Sequence, residues 1–383
     1  MVFKKLSDIC LIQSGGTPSR SKQEYWNNGN IPWVKISDFD GKFLSKTTEY
    51  ITKQGLQESS AKLFKKGTIL YTIFATLGEV CILNIDATTN QAIAGLSLID
   101  ENVVKDYLYY YLISLKQTVN EIGRGVAQNN INMSILKNML IPIPTKEEQI
   151  SIVKELESVS ELIAARREQL AKLDELVKSR FVELFDDSNY PSEPLDNNVI
   201  EMFIGPFGSS LKNEVFVDEK DGFCMVYEQK HAIQKTMNVP TRYVPKNKYE
   251  ELKRFTILGG DIIVSCRGTI GEVYTVPDDA PMGIMHPSIM KIRLDTQKYN
   301  QKFFVFALEQ YMDEHSAEAK GSGVKMAVSA TVLGQSDFVV PPMEVQNQFA
   351  AFVEQTDKSK LAIQESLAEL EILKKALMQK YFG

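Results

Sequence analysis

Side chains that can hydrogen-bond to the edges of nucleic-acid bases gather on glycine-containing segments of this sequence, such as GRGVAQNNIN from Gly123 and KGSGVKMAVS from Lys320. Arginine can donate two hydrogen bonds to guanine, glutamine and asparagine can form paired bonds with adenine, and lysine can neutralise phosphate. We expect the first of these segments to read bases. The candidate contacts are Arg20, Lys22, Lys35, Arg124, Gln128, Asn129 and Asn130 in the first half of the chain, and Lys212, Lys230, Arg267, Lys320 and Lys325 in the second.

Structural roles compete with base recognition at several of these positions. Asparagines commonly satisfy backbone groups in turns, which is the alternative for Asn129, Asn130 and Asn132. Arg267 aligns with Phe74 in an internal repeat, so it does not belong to a scaffold shared by both copies. Either a contact made by one half of the chain or a surface ion pair with a nearby carboxylate explains that arginine. The sequence leaves both alternatives open.

The spacing of reactive residues forms no catalytic or metal-binding pattern. His231, His286 and His315 are too scattered for metal or nucleophilic chemistry, and we expect them to be satisfied within the fold or to face solvent. The single Pro-Pro pair lacks the flanks of a methyltransferase catalytic loop, and no aspartate pair has a lysine at the spacing of a metal-dependent nuclease. Trp26 and Trp33 are expected to be packing residues. We therefore predict no catalysis, no cofactor and no metal.

The composition indicates a protein with more than one core. Its 383 residues are 44% hydrophobic and 24% charged, which favours two or three globular units. The net charge of −6 argues against a chain that binds DNA through its overall charge, so a DNA role needs local basic patches or basic partners. The four cysteines lack metal-ligand spacing, and no apolar run is long enough to cross a bilayer. We expect a cytoplasmic protein that crosses no membrane.

Several segments of the chain occur twice, in the same order. GTILYTIFATLGEV starts at Gly67 and GDIIVSCRGTIGEV starts at Gly260, and each string predicts a strand, a turn and a second strand. PTKEEQ from Pro144 likewise corresponds to PPMEVQ from Pro341, and a long heptad pattern follows each of them. The predicted order is globular domain, helix, globular domain, helix.

The two heptad segments predict helices of roughly 40 residues, or about 60 Å. Thr145 and Glu148 form a capping box at the start of the first. Helices this long must pack on another helix, and a hairpin or zipper that only holds the molecule together competes with a role in docking a partner. The residues expected to pack on partner helices are Leu162, Leu170, Leu173, Leu176, Phe181, Phe352, Leu361, Leu367, Leu370 and Leu373. Of these, Leu162, Leu176, Phe181, Phe352, Leu361 and Leu373 are expected to be left for another chain.

A duplicated chain with a proline-flanked turn and a long heptad helix after each globular half resembles the specificity subunits of type I restriction-modification systems. The similar pieces are GGTPSR from Gly15, IPWVKISD from Ile31, the two strings that predict hairpins, Asn90-Gln91 and the two helix entries. None of these motifs is specific alone, whereas their order and duplication are. The second half departs from the pattern, because His286 stands near the place of Asn90-Gln91 and PPMEVQ lacks the capping box.

The resemblance implies an α/β (α+β) fold with two mixed α/β target-recognition domains in pseudo-twofold tandem repeat, separated by two long antiparallel coiled-coil-like helices. The expected bounds are residues 1–144 and 188–342 for the recognition domains, and 145–187 and 343–383 for the central and C-terminal helices. It further implies a non-catalytic subunit that binds a bipartite, asymmetric site on double-stranded DNA, with one half-site per domain and the helices setting the spacer. Two modification (methyltransferase) subunits and restriction subunits are the implied partners. A protein-interaction scaffold with duplicated binding domains is the alternative, and the acidic charge favours it.

Overall fold

The repeat in the sequence becomes two units with matching orders of elements. One unit comprises Met1–Glu168 with Gln364–Gly383, and the other comprises Gln169–Ile363; they are named unit 1 and unit 2. The division therefore falls within the long helices, not at their starts near residues 145 and 343. The structure, a computed structural model, describes residues 2–124, 131–186, 190–322 and 329–383, without the side chains of residues 122–124 and 316–322.

Unit 1 is built from short strands, small helices and the beginning of a long helix. Its elements in chain order are β1 Val2–Lys5, α1 Leu6–Ile9, β2 Cys10–Ser14, β3 Ile31–Val34, β4 Phe43–Leu44, β5 Glu49–Ile51, α2 Lys53–Gln57, β6 Ile69–Thr72, β7 Val80–Leu83, β8 Thr88–Thr89, β9 Ile93–Leu98, α3 Lys105–Ser114, α4 Lys116–Arg124, α5 Met133–Asn138, β10 Leu140–Ile143 and α6 Lys146–Phe185. The strands form a five-stranded sheet of order β2-β9-β6-β7-β4, a three-stranded sheet of order β5-β3-β8 and the ribbon β1-β10.

Continuous apolar runs place β6 and β7 in the interior of the five-stranded sheet. All four residues of each strand are buried, as expected of a short apolar run bounded by turn residues. The two strands are antiparallel neighbours, which confirms the first predicted hairpin. Helix α3 packs on this core through residues such as Tyr107 and Leu108, and the Tyr107 hydroxyl donates a hydrogen bond to the Pro142 carbonyl oxygen at 2.9 Å.

Unit 2 repeats this plan with its own strands and helices. Its elements in chain order are β11 Ser192–Pro194, β12 Val199–Ile204, β13 Cys224–Tyr227, α7 Gln229–Gln234, β14 Tyr243–Val244, α8 Lys246–Glu251, β15 Thr256–Ile257, β16 Ile262–Ser265, β17 Val273–Thr275, β18 Gly283–Met285, β19 Ile289–Leu294, α9 Gln301–Ser322, α10 Ala330–Gln335, β20 Asp337–Val339 and α11 Met343–Phe382. The sheets have the orders β12-β19-β16-β17 and β14-β13-β18-β15, with the ribbon β11-β20. Antiparallel pairing of β16 with β17 confirms the second hairpin. The predicted mixed α/β class is therefore confirmed.

The long helices α6 and α11 each contain 40 residues. The capping box at the start of α6 is confirmed, because the Thr145 amide donates to the Glu148 carboxylate at 2.9 Å and the Glu148 amide donates to the Thr145 hydroxyl at 3.3 Å. Within unit 1, Arg167 of α6 pairs with Glu371 of α11 at 2.8 Å, and Glu155 accepts a hydrogen bond from Tyr381. The order of these contacts shows that the two helical segments of that unit are antiparallel.

The structure divides the residues expected to pack on partner helices into three groups. Exposed side chains are those of Leu162, Leu176, Leu361 and Leu373. Half-buried side chains are those of Leu170, Leu173, Leu367 and Leu370. Phe181, expected to be left for another chain, is half-buried: its ring lies 5.0 Å from that of Phe306 of α9 and packs against the core of unit 2. Phe352 is half-buried against the same core. Heptad spacing alone does not reveal that a globular core covers this part of the helix.

Candidate nucleic-acid interface

The hairpins β6–β7 and β16–β17 hold their turns with the same hydrogen bonds. The Thr72 hydroxyl accepts from the Glu79 amide at 2.8 Å, and the Ser265 hydroxyl accepts from the Glu272 amide at 3.0 Å. A glycine with positive φ precedes each glutamate, with values of 80° in unit 1 and 89° in unit 2. This backbone conformation favours glycine. The two turns therefore share one framework, whatever side chains lie at their tips.

Different side chains occupy equivalent places at these tips. Phe74 is 43% exposed in unit 1, and Arg267 is exposed in unit 2. The next residues, Ala75 and Gly268, both have positive φ, at 62° and 69°. Within the described part of the chain, Arg267 forms no ion pair, so the alternative of a surface pair with a carboxylate gains no support. Arg267 is exposed at this tip, and its role in base reading stays a prediction.

In unit 1, two candidate cations share one carboxylate. Glu49 pairs with Arg20 at 2.5 Å and with Lys35 at 2.6 Å. The Arg20 guanidinium also lies 3.6 Å from the ring centre of Trp26, and the buried Trp33 ring meets Trp26 edge-on, which confirms a packing role for Trp33. Partial burial opposes ionisation of Glu49, but the hydrogen bonds from Lys35 and Arg20 outweigh it and lower the pKa of this carboxyl group.

Lys22 lies beside this cluster without joining it. Its ammonium group donates to the Tyr25 hydroxyl at 2.7 Å, and that hydroxyl donates to Glu58 at 2.9 Å. The hydrogen bond to Tyr25 raises the pKa of Lys22 above its ordinary value. Lys22 is therefore an exposed, charged side chain that can contact phosphate.

A second carboxylate with two cations lies in unit 2. Glu228 is buried and pairs with Lys230 at 2.7 Å and with the Arg242 guanidinium. Burial raises the pKa of Glu228, but the hydrogen bonds from Arg242 and Lys230 lower it by more. The Arg242 guanidinium also lies 3.8 Å from the ring centre of Phe216. Lys230 is a candidate contact from the sequence alone, whereas Arg242 emerges only from the structure.

The two clusters occupy equivalent places in the units. Strands β3 and β13 each lie between an antiparallel and a parallel neighbour. Their last residues, Val34 and Tyr227, each accept a backbone hydrogen bond from the residue that follows the parallel neighbour. The residues that come next, Lys35 and Glu228, are therefore equivalent.

The cross-strand partners of these residues are equivalent as well. Glu49 lies opposite Trp33, the third residue of β3, and the Arg242 carbonyl accepts from the amide of Val226, the third residue of β13. Unit 1 thus has a lysine facing a glutamate where unit 2 has a glutamate facing an arginine. The repeats in the sequence do not show this correspondence, because the charges are reversed.

Two histidines of unit 2 border this cluster. His231 is fully buried, with hydrogen bonds at Nδ1 to the Glu228 backbone and no partner for Nε2 among the described residues. The expectation of a satisfied histidine is thus met at Nδ1 of His231 but not at Nε2. His286 contacts the Ser288 hydroxyl at 2.8 Å through Nδ1. Burial lowers the pKa of both imidazoles.

Of the remaining candidates, some lie on described loops or helix ends and the others lie outside the described residues. Lys212 is exposed, and the same loop carries Phe207, whose side chain is 87% exposed. Asn132 caps α5 by accepting from the Ile135 amide at 2.8 Å, which confirms the structural alternative for this asparagine. Arg124 and Lys320 lie on the ends of α4 and α9, but their side chains are outside the described residues. Gln128, Asn129, Asn130 and Lys325 are also outside the described residues, so base reading by their segments stays a prediction.

The described residues hold no cluster of three or more histidine, cysteine, aspartate or glutamate side chains that could bind a metal ion. Among the described helices, none is long and apolar enough to span a membrane.

A family model described as the type I restriction modification DNA specificity domain matches residues 1–175 and 222–372. The MjaIX specificity subunit, a type I restriction enzyme subunit of Methanocaldococcus jannaschii, is 32% identical over 199 residues, which cover 51% of this chain and 45% of that protein. The EcoR124I/EcoR124II specificity subunit of Escherichia coli is 28% identical over 187 residues, covering 47% of this chain and 46% of that protein. The chain spans about half the length of the curated relatives it matches.

Solved structures share the fold over the full chain. The S subunit of a type I restriction-modification system from M. genitalium aligns with 100% of this chain and 96% of its own, at a TM-score of 0.54 and 16% identity. A structure described as the basis of complex assembly and conformational transition of the type I R-M system aligns with 100% of this chain and 97% of its own, at a TM-score of 0.63 and 19% identity.

Proposed function

The chain belongs to the family of the type I restriction modification DNA specificity domain, and we propose that it selects the DNA sequence on which a type I restriction-modification complex acts. Each unit reads one half of a bipartite, asymmetric site, and the long helices set the number of unspecific base pairs between the halves. The chain binds double-stranded DNA in the cytoplasm without catalysing a reaction.

The two hairpins share a backbone framework but carry different side chains at their tips. This observation supports the recognition of two different half-sites. Thr72 and Ser265 hold their turns with matching hydrogen bonds, while Phe74 and Arg267 occupy equivalent places at the tips. Backbone geometry positions a protein on DNA, and side chains at base edges specify the sequence. Two readers of different half-sites need this combination.

The proposed partners are two modification subunits and restriction subunits. The exposed leucines of α6 and α11 are candidates for docking the modification subunits, because exposed apolar side chains on long helices suit helix packing. A net charge of −6 limits how much phosphate contact the chain can supply. We therefore assign part of the phosphate contact to the modification subunits.

Genome-wide mapping of methylated bases tests the proposal. Cells that express the chain with the modification subunit encoded beside it are compared with cells that lack the chain. We expect a methylation motif that depends on the chain and consists of two different short halves around a fixed gap.

A stable complex without a chain-dependent motif would contradict the proposal and favour a protein-interaction scaffold. The assembled complex is also the right material for binding assays, because affinity for DNA should fall with added salt if phosphate contacts contribute. Salt-independent binding to protein partners alone is the expectation for a scaffold.

A further inference from the structure

We propose that Glu49 and Glu228 limit unspecific DNA binding, because each carboxylate holds two cations of the candidate interface in ion pairs. The inference rests on the proposed function and adds to it the residues that set the electrostatic part of the affinity. Each is a positioning residue that acts through its cationic partners.

In unit 1, one carboxylate joins two cations of the candidate interface. Glu49 pairs with Arg20 and Lys35 at 2.5 and 2.6 Å. Arg20 is exposed and Lys35 is half-buried, with side-chain exposures of 53% and 32%. They can therefore reach phosphate, but the shared carboxylate cancels one of their two positive charges.

In unit 2, one carboxylate likewise joins two cations. Glu228 holds Lys230 and Arg242, whose side chains are 30% and 34% exposed. In the cross-strand ion pair of unit 2, Glu228 takes the place that Lys35 has in unit 1, and Arg242 takes the place of Glu49. The cation outside the cross-strand pair also comes from a different element in each unit: Arg20 lies on the loop after β2, and Lys230 lies on α7.

This reversal argues against a simple inherited ion pair. If one ion pair of the scaffold had been kept in both units, each strand position would carry the same charge in both. Here the positive and negative positions are exchanged between the units. What both units share is one ionised carboxylate that pairs with two cations, while Asp38 adds a further negative charge near Lys35 in unit 1. The same arrangement built from different residues supports a role for the glutamate in setting the local potential.

Unspecific binding is the property that this potential controls. A protein that neutralises phosphates releases counterions, and the logarithm of its affinity falls with the logarithm of salt concentration by about 0.9 per phosphate neutralised. Removing one carboxylate frees about one positive charge for phosphate. The slope should then steepen by about 0.9, which makes the affinity gain about threefold larger at 50 mM than at 200 mM salt.

The test uses Glu49→Gln and Glu228→Gln in the full chain assembled with its modification subunits. Binding to a duplex that lacks the mapped motif is titrated at several salt concentrations. Glu183→Gln is the matched control, since it removes the same charge from an exposed pair with Arg180 on α6 at 2.7 Å. The inference expects tighter unspecific binding and a steeper salt slope for Glu49→Gln and Glu228→Gln, with the control equal to the wild type.

Equal slopes for Glu49→Gln and Glu183→Gln would overturn the inference and leave Glu49 a structural ion-pair residue. If the Glu228→Gln variant fails to fold because Glu228 is more buried, the result for Glu49→Gln alone decides between the two outcomes. The proposed function is judged separately by the wild-type methylation motif, so a motif combined with unchanged slopes refutes this inference alone.

Discussion

The tip of the β16–β17 hairpin is where one residue most clearly distinguishes the two units. Arg267 is exposed there, and Phe74 occupies the equivalent place in unit 1. A guanidinium group can donate two hydrogen bonds to guanine, whereas a phenyl ring can offer apolar contact to the methyl group of thymine. Under the proposed function, the same backbone framework would present two different side-chain chemistries to DNA bases.

Replacing Arg267 with alanine should relax one half-site and leave the other unchanged. Loss of a paired contact to guanine removes about 1–3 kcal/mol of discrimination, which is about 5- to 140-fold in relative affinity. Methylation mapping and competition binding with duplexes altered in one half-site measure the effect. Lys253→Ala is the control for the loss of an exposed charge. An unchanged motif in both halves would remove Arg267 from the reading surface.

The entry to each long helix depends on a buried glutamine. In unit 1, Gln149 accepts from the Val104 amide at 2.8 Å and donates to the carbonyl oxygens of Asn102 and Pro144, both at 3.0 Å. In unit 2, Gln346 accepts from a backbone amide at 2.8 Å and likewise donates to two carbonyl oxygens. Both side chains are fully buried. These bonds fix the direction in which each helix leaves its globular half.

The variant Gln149→Leu should destabilise the chain by at least about 1–3 kcal/mol. Leucine keeps the apolar volume but leaves a buried amide and two carbonyl groups without partners, which is the costly way to lose hydrogen bonds. Urea denaturation measures the change in midpoint. The exposed Gln355→Leu on α11 is the matched control. Equal midpoints for the two variants would show that the bonds of Gln149 contribute little.

The titratable groups of the whole chain are distributed unequally between the units. All three histidines belong to unit 2, and burial lowers the pKa of His231 and His286. As the pH falls, the histidines of the unfolded chain become protonated near their ordinary pKa of about 6.5, before those of the folded unit do. The stability that these histidines contribute is therefore fully present above that pH and decreases as the pH drops through it.

Lowering the pH from 7.5 to 5.5 should destabilise unit 2 while unit 1 is largely unaffected. Carboxylates with lowered pKa, such as Glu49 and Glu228, lose their contribution to folding stability only below pH 5.5. Between pH 7.5 and 5.5 the change in stability is therefore due to the histidines. Hydrogen exchange followed by peptide mass analysis should show faster exchange in unit 2, and each kcal/mol lost corresponds to about 2–4 °C in its Tm. A double variant with His231→Gln and His286→Gln should lose most of the pH response. Equal acceleration in both units would contradict the assignment.

The sequence by itself determined the duplicated order of elements, both hairpins and the starts of both long helices. These features depend on local information: apolar runs that bury a short strand, glycines that permit a positive φ, and a capping box that satisfies the first amides of α6. It also identified Arg20, Lys35, Lys230 and Arg267 as candidate contacts, because their residue types suffice to raise the possibility.

Only the tertiary structure decided which of these cations are paired and which are available. Glu49 meets Lys35, and Glu228 meets Arg242, because the pairing of neighbouring strands brings separate segments of the chain together. The burial of Phe181 and His231 likewise depends on elements that pack on them from elsewhere in unit 2. Local periodicity fixes elements because its causes lie within a few residues, whereas ion pairing and burial are set by which distant segments come into contact.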